Sequence, residues 1–205
     1  MAIRAVATVA ARAAVAAMVA VRARAVVIAA AHSAARLVPG LGDVLSPRVA
    51  HVWSTLPLTP SFPMAMALNF GDVYWRQLPG RRILVGGGRG LGWLDSPGSA
   101  HPSPPIARFF CDSFPLLPAV RTSGHWTGTM ACTPDDLPLV GAVARLPGTW
   151  LLTGFGGHGL PPALYASRLV VEAALGGARP ADPALARYAP ARFPQLQGAE
   201  ITIRS

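Results

Sequence analysis

The sequence contains no lysine, so all of its 18 basic residues are arginines. Against 9 acidic residues they give a formal net charge of +9. The arginines stand one or two at a time along the chain, and no run of them alternates with aromatic residues. A groove for single-stranded nucleic acid combines a basic track with stacking aromatics. The composition therefore argues against a nucleic-acid partner and indicates a biased codon usage instead.

Cysteine is scarce as well. Cys111 and Cys132 are the only two, and they lie far apart with no CxxC spacing and no histidine at a metal-ligand offset. Neither a disulfide framework nor a zinc site is indicated. We therefore expect no bound metal and a cytoplasmic location.

Long uncharged apolar runs are missing too. The alanine- and valine-rich segment Ala5–Ala31 is interrupted by Arg12, Arg22 and Arg24. The uncharged stretches that remain fall well short of the roughly 20 apolar residues that span a bilayer. We expect no membrane span, and a signal peptide is left as the alternative because a short apolar region follows Arg4.

Apolar residues make up 52% of the chain, and glycine and proline contribute 21 residues each. This combination is sufficient for a buried core and indicates strands and turns, hence a mixed α/β (α+β) fold. Residues 1–20 are predicted to form an alanine-rich helix. The β-branched run Ala25–Ala31 predicts a buried parallel strand, and residues 32–40 predict a short helix that Pro39 and Gly40 terminate.

The middle of the chain has the pattern of an antiparallel sheet. Three short strand-like segments are separated by proline and glycine: Val49–Thr55, Val73–Gln77 and Arg82–Val85. Between this sheet and the last third we predict loops and one helix, over Gly86–Gly92, Ser96–Pro105 and Phe109–Leu117 respectively.

The last third predicts a turn at Thr133–Asp136, a strand at Thr149–Thr153 and a helix from Pro161 to Leu175. The buried stripe of that helix is expected to contain Leu164, Val171 and Leu175. A buried strand needs neighbours on both sides. We therefore expect the strands at Ala25–Ala31 and Thr149–Thr153 to lie in one body rather than in separate ones.

A glycine-rich segment, Gly154–Gly159, joins this strand to this helix. Its spacing satisfies GxGxxG, but no second strand and no acidic residue follow the helix as a dinucleotide fingerprint requires. The segment instead offers bare backbone, unpaired N–H groups and the positive end of a helix dipole. A flat ring that develops negative charge could lie against it. The alternative is a tight strand-to-helix turn that binds nothing.

Three consecutive motifs now carry a resemblance to a known family. Trp126-x-Gly128, then Thr133-Pro-Asp135-x-x-Pro138-x-x-Gly141, then Gly154-Phe-Gly-Gly-His-Gly159 before a helix resemble the C-terminal flavin-contacting segment of the FAD-dependent D-amino-acid/sarcosine/glycine oxidase family. Residues 23–33 resemble the late strand of its flavin domain. Tyr74-Trp-Arg76 and Arg82-Ile-Leu-Val-Gly-Gly resemble strands of its substrate-domain sheet.

The resemblance covers about residues 21–195 and implies three parts: a partial FAD-binding domain over residues 1–43, a substrate-binding antiparallel sheet domain over 44–125, and a C-terminal flavin-contacting segment with helix and tail over 126–205. The family's N-terminal nucleotide-binding half would precede residue 21, and residues 1–20 do not resemble it. We therefore expect a truncated form of the family, in which the chain alone holds no cofactor.

The resemblance implies an oxidoreductase that oxidises the C–N bond of a small-molecule amine or amino acid by hydride transfer to FAD. The alternative is a non-catalytic remnant or subunit that needs a partner chain carrying the FAD-phosphate site. Met130 stands where some members have a carboxylate-binding arginine or a flavin-linked cysteine, and Cys132 is displaced from that position. This departure weakens the case for an α-amino-acid substrate and favours non-covalent FAD. The absence of lysine favours a dehydrogenase, because some relatives use lysine to activate oxygen.

The implied site has two groups of residues, and no catalytic residue is identified. The cofactor-binding group comprises Gly154, Phe155, Gly156, Gly157, His158 and Gly159. The substrate-pocket candidates are Tyr74, Trp75, Arg76, Trp126 and Met130. Arg121 is an alternative to Arg76 as the anchor for an anionic group. The plain alternatives are surface solvation for the arginines, core packing for the aromatics and a local helix-start role for His158.

Overall fold

A computed structural model describes residues 3–8, 18–88, 105–117, 119–176 and 183–197. The chain divides into two compact units, and each is described by itself below. Unit 1 comprises Met1–Ser46 and Ala131–Ser205, and unit 2 comprises Pro47–Met130. The chain thus enters unit 2 a few residues after position 43 and leaves it a few residues after position 125.

The described elements are short strands joined by few helices. The strands are β1 Ile3–Thr8, β2 Met18–Ala23, β3 Val26–Ile28, β4 Ser46–Thr55, β5 Met66–Leu68, β6 Val73–Gln77, β7 Ile83–Gly87, β8 Thr122–Cys132, β9 Leu139–Ala142 and β10 Thr149–Thr153. The α-helices are α1 Pro105–Ser113, α2 Leu160–Ala174 and α3 Pro183–Ala186. Short 3-10 helices occupy Ala31–Arg36, Leu41–Asp43, Asn69–Gly71, Gly156–His158, Pro190–Arg192 and Pro194–Leu196. The predicted α/β (α+β) class is confirmed.

The N-terminal segment is a β-hairpin, so the predicted helix over residues 1–20 is wrong. β1 and β2 pair antiparallel, with Ile3 opposite Ala23 and Thr8 opposite Met18. Alanine's helix propensity is worth only tenths of a kcal/mol per residue. The β-branched residues interspersed among the alanines favour strands. Residues 9–17 lie outside the described part of the chain.

The sheet of unit 1 is built around β10. This strand pairs parallel with β3, Thr149 lying opposite Val26, and antiparallel with β9, Thr153 lying opposite Leu139. The expectation that the early strand and the late strand lie in one body is therefore confirmed. The expectation that the early strand is buried is wrong: within the described ranges β3 has β10 as its one neighbour, and Val27 is 38% exposed.

The sheet of unit 1 has a packed layer on each face. Leu139 and Leu151 pack on one face among residues of the 3-10 helices and the tail. On the other face Val140 contacts Ala166 and Val170 of α2.

The buried stripe predicted for α2 is wrong. Leu164, Val171 and Leu175 are 70%, 46% and 66% exposed, and Leu160 is 79% exposed. The helix packs its small residues against the sheet because they allow close approach of its backbone. We call Leu160, Leu164, Val171 and Leu175 the α2 apolar face.

The sheet of unit 2 has the order β5-β6-β7-β4-β8, and its first four strands pair antiparallel with their neighbours, as predicted. Alternate side chains of β4, β6 and β7 enter one core that α1 covers. That core contains Trp53, Trp75, Ile83, Val85 and Phe110 among others.

Helix α1 begins at Pro105 rather than at Phe109 and ends at Ser113, ahead of Pro115. Proline at a helix start leaves no intrahelical bond unmade, because the first N–H groups have no partner in any helix. Most of the predicted loops before it lie outside the described residues. None of the helices in the described ranges has the length and apolar character needed to cross a membrane.

An arginine–carboxylate pair ties the C-terminal tail to the Thr133–Asp136 turn. The Arg192 guanidinium donates to both Asp135 carboxylate oxygens, at 2.7 and 3.1 Å. The turn itself, predicted from the sequence, is closed by a bond from the Asp136 N–H to the Thr133 carbonyl at 3.2 Å. The hydrogen bonds from Arg192 lower the pKa of Asp135 to about 2, with the Leu137 N–H acting in the same direction.

A second local feature is the left-handed backbone of Ala31, whose φ is 46°. The Ala31 carbonyl accepts a hydrogen bond from the Thr153 hydroxyl at 2.9 Å, which joins the end of β10 to the start of the first 3-10 helix. This conformation costs a residue with a Cβ about 1 kcal/mol or more, whereas glycine adopts it without that cost.

We expect Ala31→Gly to stabilise the chain by about 0.5–1 kcal/mol, because it relieves the left-handed strain at an exposed position. Urea unfolding checks this. The matched control is Ala34→Gly, a fully buried position in the same 3-10 helix, which should lose about 1 kcal/mol. Destabilisation by both substitutions would contradict the strain at Ala31.

The lowered pKa of Asp135 predicts an acid-dependent stability. The folded pKa of about 2 lies below the ordinary value of 3.8, so the contribution is present above about pH 4 and is lost as the pH falls towards about 2. The carboxylate is partly exposed, so we expect about 1 kcal/mol. In urea unfolding, Asp135→Asn should remove this pH dependence, whereas Asp136→Asn should keep it. If the free energy of unfolding changes equally with pH in Asp135→Asn and in the parent chain, the Asp135–Arg192 pair is not the source of the pH dependence.

Candidate functional site

The glycine turn, Gly154–Gly159, leaves the end of β10 and leads into α2. Two of its residues adopt left-handed backbone, Gly154 with φ of 74° and Gly156 with φ of 56°. This conformation lets the chain reverse within one short 3-10 turn at Gly156–His158. A Cβ at either position would be strained.

Packing alone accounts for two of the glycines. A Cβ on Gly154 would lie 3.0 Å from the Thr133 methyl group and 3.5 Å from the Leu139 nitrogen. A Cβ on Gly159 would lie 3.0 Å from the Cβ of Phe155, whose ring packs beside Val140. At these positions the plain architectural explanation is sufficient.

The outer part of the turn is open. Gly157 and His158 are exposed, and Gly156 is half-buried. The helix that follows has Pro161 and Pro162 in its first turn, and proline has no N–H to offer. Within the turn the His158 N–H already donates to the Phe155 carbonyl at 3.4 Å, so the donors that this helix start can offer a ligand are the glycine N–H groups. A bare, exposed backbone with N–H groups at the positive end of a helix fits one edge of a planar anion such as a reduced flavin ring.

The substrate-pocket candidates divide between two faces of the β6 strand. Trp75 is 2% exposed and its ring meets those of Phe110 and Phe114 edge-on. It is a core residue, as the plain alternative held. Tyr74 and Arg76 are exposed on the opposite face, because side chains alternate along a strand. The Tyr74 ring lies where a Cβ on Gly86 would stand, so the glycine makes room for it.

Strand β8 contributes the other two candidates. His125 stacks on the buried His51, with Nε2 of the first 3.0 Å from Nδ1 of the second. Trp126, one residue later, points to the other face of the strand and is 48% exposed. Met130 is half-buried. Trp126 and Met130 are an even number of positions apart, so strand alternation predicts that their side chains share one face of β8.

The anchor arginines are both accessible. Arg121 is exposed, and its carbonyl accepts a hydrogen bond from the Leu56 N–H at 2.8 Å. Within the described residues, the predicted cofactor group lies in unit 1 and the predicted substrate group lies in unit 2. Each group is thus placed within its own unit.

Sequence reasoning missed three polar pairs. They are the His51–His125 pair, the Ser54–Ser123 hydroxyl pair at 2.5 Å and the Asp135–Arg192 pair. Their members lie 57 to 74 positions apart along the chain. No local pattern signals a contact over such a separation. The pairing register of β4 with β8 would have been needed to find the histidine pair and the serine pair.

The sequence matches known proteins of one kind. The sequence model of the FAD dependent oxidoreductase family matches residues 2–173. The "Probable oxidoreductase OrdL" of Rhizobium meliloti (strain 1021) is 34% identical over 105 residues, which is 50% of this chain and 23% of that protein.

Solved structures share the fold. Glycine oxidase from Geobacillus kaustophilus has a TM-score of 0.64 at 21% identity, over 85% of this chain and 47% of that one. Iminodiacetate oxidase (IdaA) from Chelativorans sp. BNC1 has 0.66 at 21%, over 84% and 47%. L-proline dehydrogenase from P. horikoshii has 0.63 at 22%, over 85% and 48%. The chain spans about half the length of these solved relatives.

The family match covers most of the sequence, and it includes the glycine turn and the sheet of unit 2. The solved relatives reproduce the same mixture of helices and strands. The resemblance found in the three sequence motifs is therefore confirmed: this chain belongs to the FAD-dependent oxidoreductase family.

Proposed function

We propose that this chain supplies the flavin-ring-contacting and substrate-facing parts of an enzyme that oxidises the C–N bond of an amine or amino acid. The observation that carries the proposal is the glycine turn. It is bare and exposed, stands at a helix start, and belongs to a chain of an FAD-dependent family. FAD would be held without a covalent bond, since Met130 occupies the position of the linking cysteine and Cys132 is buried.

Flavin, when bound, supplies the hydride acceptor for this reaction. The chain's own contribution is electrostatic and steric. The N–H groups of Gly156, Gly157 and Gly159 would hold the ring edge where negative charge accumulates, and the His158 side chain would border the same edge. The absence of side chains at Gly156 and Gly157 lets the ring approach the backbone closely. Water then hydrolyses the imine left on the substrate.

The substrate class follows from the open face of the unit 2 sheet. Tyr74 offers an aromatic ring on that face and Trp126 of β8 an exposed indole, and Arg76, or Arg121 in its place, offers a guanidinium for an anionic group. The solved relatives are named for glycine, iminodiacetate and L-proline, each a small compound with nitrogen beside a carboxylate-bearing carbon. We propose a small amine that carries an anionic group, and dehydrogenase activity because the chain has no lysine.

The cellular location is proposed on the cysteines. Cys111 is a free thiol, and burial, followed by the charge of Asp112, raises its pKa. A raised pKa keeps a thiol protonated and unreactive. Both features suit a reducing cytoplasm.

A second candidate function is that of a subunit which works only with a nucleotide-binding half carried by a partner chain or by a longer form of this one. Two observations in unit 1 favour it. The α2 apolar face is exposed, and large exposed apolar surfaces mark interaction sites. Strand β3 also presents an edge that, among the described residues, pairs with no second strand, and parallel sheets rarely end unpaired on such an apolar run.

We expect the purified 205-residue chain to retain no FAD and to oxidise none of a panel of amines and amino acids. Much of the cofactor's binding energy comes from its pyrophosphate and adenosine, which bind at a glycine loop. We identify no segment of this sequence that resembles such a loop. The measurement is the flavin spectrum after gel filtration with excess FAD, together with dye reduction and peroxide formation. Stoichiometric retained flavin would refute the need for a nucleotide-binding half.

The ring site is tested separately with FMN, which has the flavin ring and one phosphate but no adenosine. We expect weak binding, with a Kd of about 1 mM, and NMR shift changes concentrated at Gly154–Gly159. Gly156→Val and Gly157→Val should abolish them, because a branched side chain would stand where the ring approaches.

Two controls make the result specific. Gly176→Val introduces the same left-handed strain at an open position after α2 and should leave the FMN shifts in place. Ribose 5-phosphate, which lacks the ring, should not shift the turn. Equal shifts from both ligands, or unchanged FMN binding in Gly156→Val and Gly157→Val, would assign the turn to architecture alone.

A further inference from the structure

Arg192 lies in the C-terminal tail, yet its guanidinium is largely covered, at 16% exposure of the side chain. Nε and Nη2 donate to the two Asp135 carboxylate oxygens, Nη2 also to the Leu137 carbonyl at 2.6 Å, and Nη1 to the carbonyls of Pro138 and Tyr188 at 3.1 and 2.9 Å. An arginine has five N–H donors. Here each of the five has an acceptor.

Four of these acceptor atoms belong to one short segment, Asp135–Pro138, which continues into β9. Pro138 precedes Leu139, the first residue of β9, and Leu139 lies opposite Thr153, the last residue of β10. Thr153 precedes Gly154. The carbonyls that Arg192 holds are thus separated from the first residue of the glycine turn by a single pair of facing strand residues.

A second contact makes the same connection. The Thr133 hydroxyl donates to the Leu137 carbonyl at 2.7 Å, and the Thr133 methyl group stands 3.0 Å from where a Cβ on Gly154 would lie. Thr133, at the start of the segment Thr133–Pro138, therefore packs against Gly154, as Leu139 and Leu45 also do. Arg192 holds the same segment at Asp135, Leu137 and Pro138.

The tail has other attachments that do not involve Arg192. Leu196 is fully buried in the core of unit 1, the Val140 N–H donates to the Tyr188 carbonyl at 2.9 Å, and Arg145 donates to the Gln195 carbonyl at 2.9 Å. Loss of the Arg192 side chain should leave the tail docked. What it releases is the segment Thr133–Pro138.

We propose that Arg192 is a positioning residue of the flavin-facing turn: it holds the Thr133–Pro138 segment and thereby sets where Gly154 begins that turn. The proposal rests on the proposed function of Gly154–Gly159. It makes the tail, which the sequence presents as an irregular extension, a working part of the site. It also requires arginine, since lysine has the charge but cannot reach acceptors spread over a planar fork.

The test compares Arg192→Gln, Arg192→Lys and Asp135→Asn in the whole 205-residue chain. The matched control is Arg168→Gln, which removes a second arginine–carboxylate bond of unit 1, the exposed Arg168–Glu172 bond at 2.9 Å. The first readout is NMR-detected hydrogen exchange of backbone amides, and the second is the affinity for FMN.

In Arg192→Gln we expect exchange at Asp136, Thr153 and the glycine turn to be faster by about tenfold, and FMN affinity to fall by a similar factor. Exchange in the middle of α2 should remain near that of the parent chain. Arg192→Lys should behave like Arg192→Gln. Asp135→Asn keeps the carbonyl contacts of Arg192 and should show a smaller change of about threefold in the same places, and Arg168→Gln should show none.

Three outcomes would overturn the proposal. They are unchanged exchange at the turn in Arg192→Gln, equal acceleration throughout unit 1, which indicates a general structural role, and full rescue by lysine. If Arg192→Gln does not fold, Asp135→Asn decides by the same criteria. Absence of FMN shifts in the parent chain would refute the flavin role of the turn, whereas the exchange data decide separately whether Arg192 positions it.

Discussion

The pairing of β10 on both of its edges is the interaction on which the rest of unit 1 depends. Its parallel partner β3 comes from the beginning of the chain, and its antiparallel partner β9 immediately precedes it. Leu151 faces one core and Leu152 the other. The strand thus closes a long loop of chain whose ordering costs entropy, and buried apolar side chains on both faces offset that cost.

The same strand leads into the proposed flavin-facing turn. It ends at Thr153, whose hydroxyl binds the Ala31 carbonyl, and the next residue starts the glycine turn. Apart from His158, the turn offers backbone N–H groups rather than ionisable side chains, which suits charge stabilisation. A chain with only 13% charged residues can build such a site, because the donors are provided by the backbone.

The Arg168–Glu172 and Arg192–Asp135 pairs differ in what they contribute. Arg168 and Glu172 lie one helical turn apart with side-chain exposures of 67% and 36%, and such pairs contribute about 0–1 kcal/mol. Arg192 is mostly covered and donates to backbone carbonyls besides the carboxylate. Because it connects segments 57 positions apart, it constrains tertiary structure rather than one helix.

Much of the fold was predictable where the hydrophobic periodicity and the positions of glycine and proline indicate the same element. The strands at Val73–Gln77 and Thr149–Thr153 have the predicted bounds, because β-branched and aromatic residues alternate there between glycine and proline. The family was recognisable from three motifs in order. The N-terminal hairpin was not predicted. Alanine occurs in helix and strand patterns alike, and the pairing between the two strands decides which of the two structures forms.

The prediction of which face of α2 is buried was also wrong, for a different reason. Its largest apolar residues form a helical stripe, which predicts their burial, but the sheet accepts Ala166 and Val170 instead. Hydrophobicity identifies apolar faces without saying which partner covers each of them. Within the site, the glycine turn was visible as a local motif. The Arg192 contacts were not, because they depend on tertiary packing.

The central claim is that the flavin ring lies against the glycine turn, and photolabelling tests it most directly. The chain is irradiated with 8-azidoriboflavin, a flavin ring with a photoreactive azide, and the labelled peptides are mapped by mass spectrometry with excess FMN as competitor. The account predicts competed labelling within Thr153–Leu160. Labelling confined to other segments, or labelling of the turn that FMN does not reduce, would contradict it.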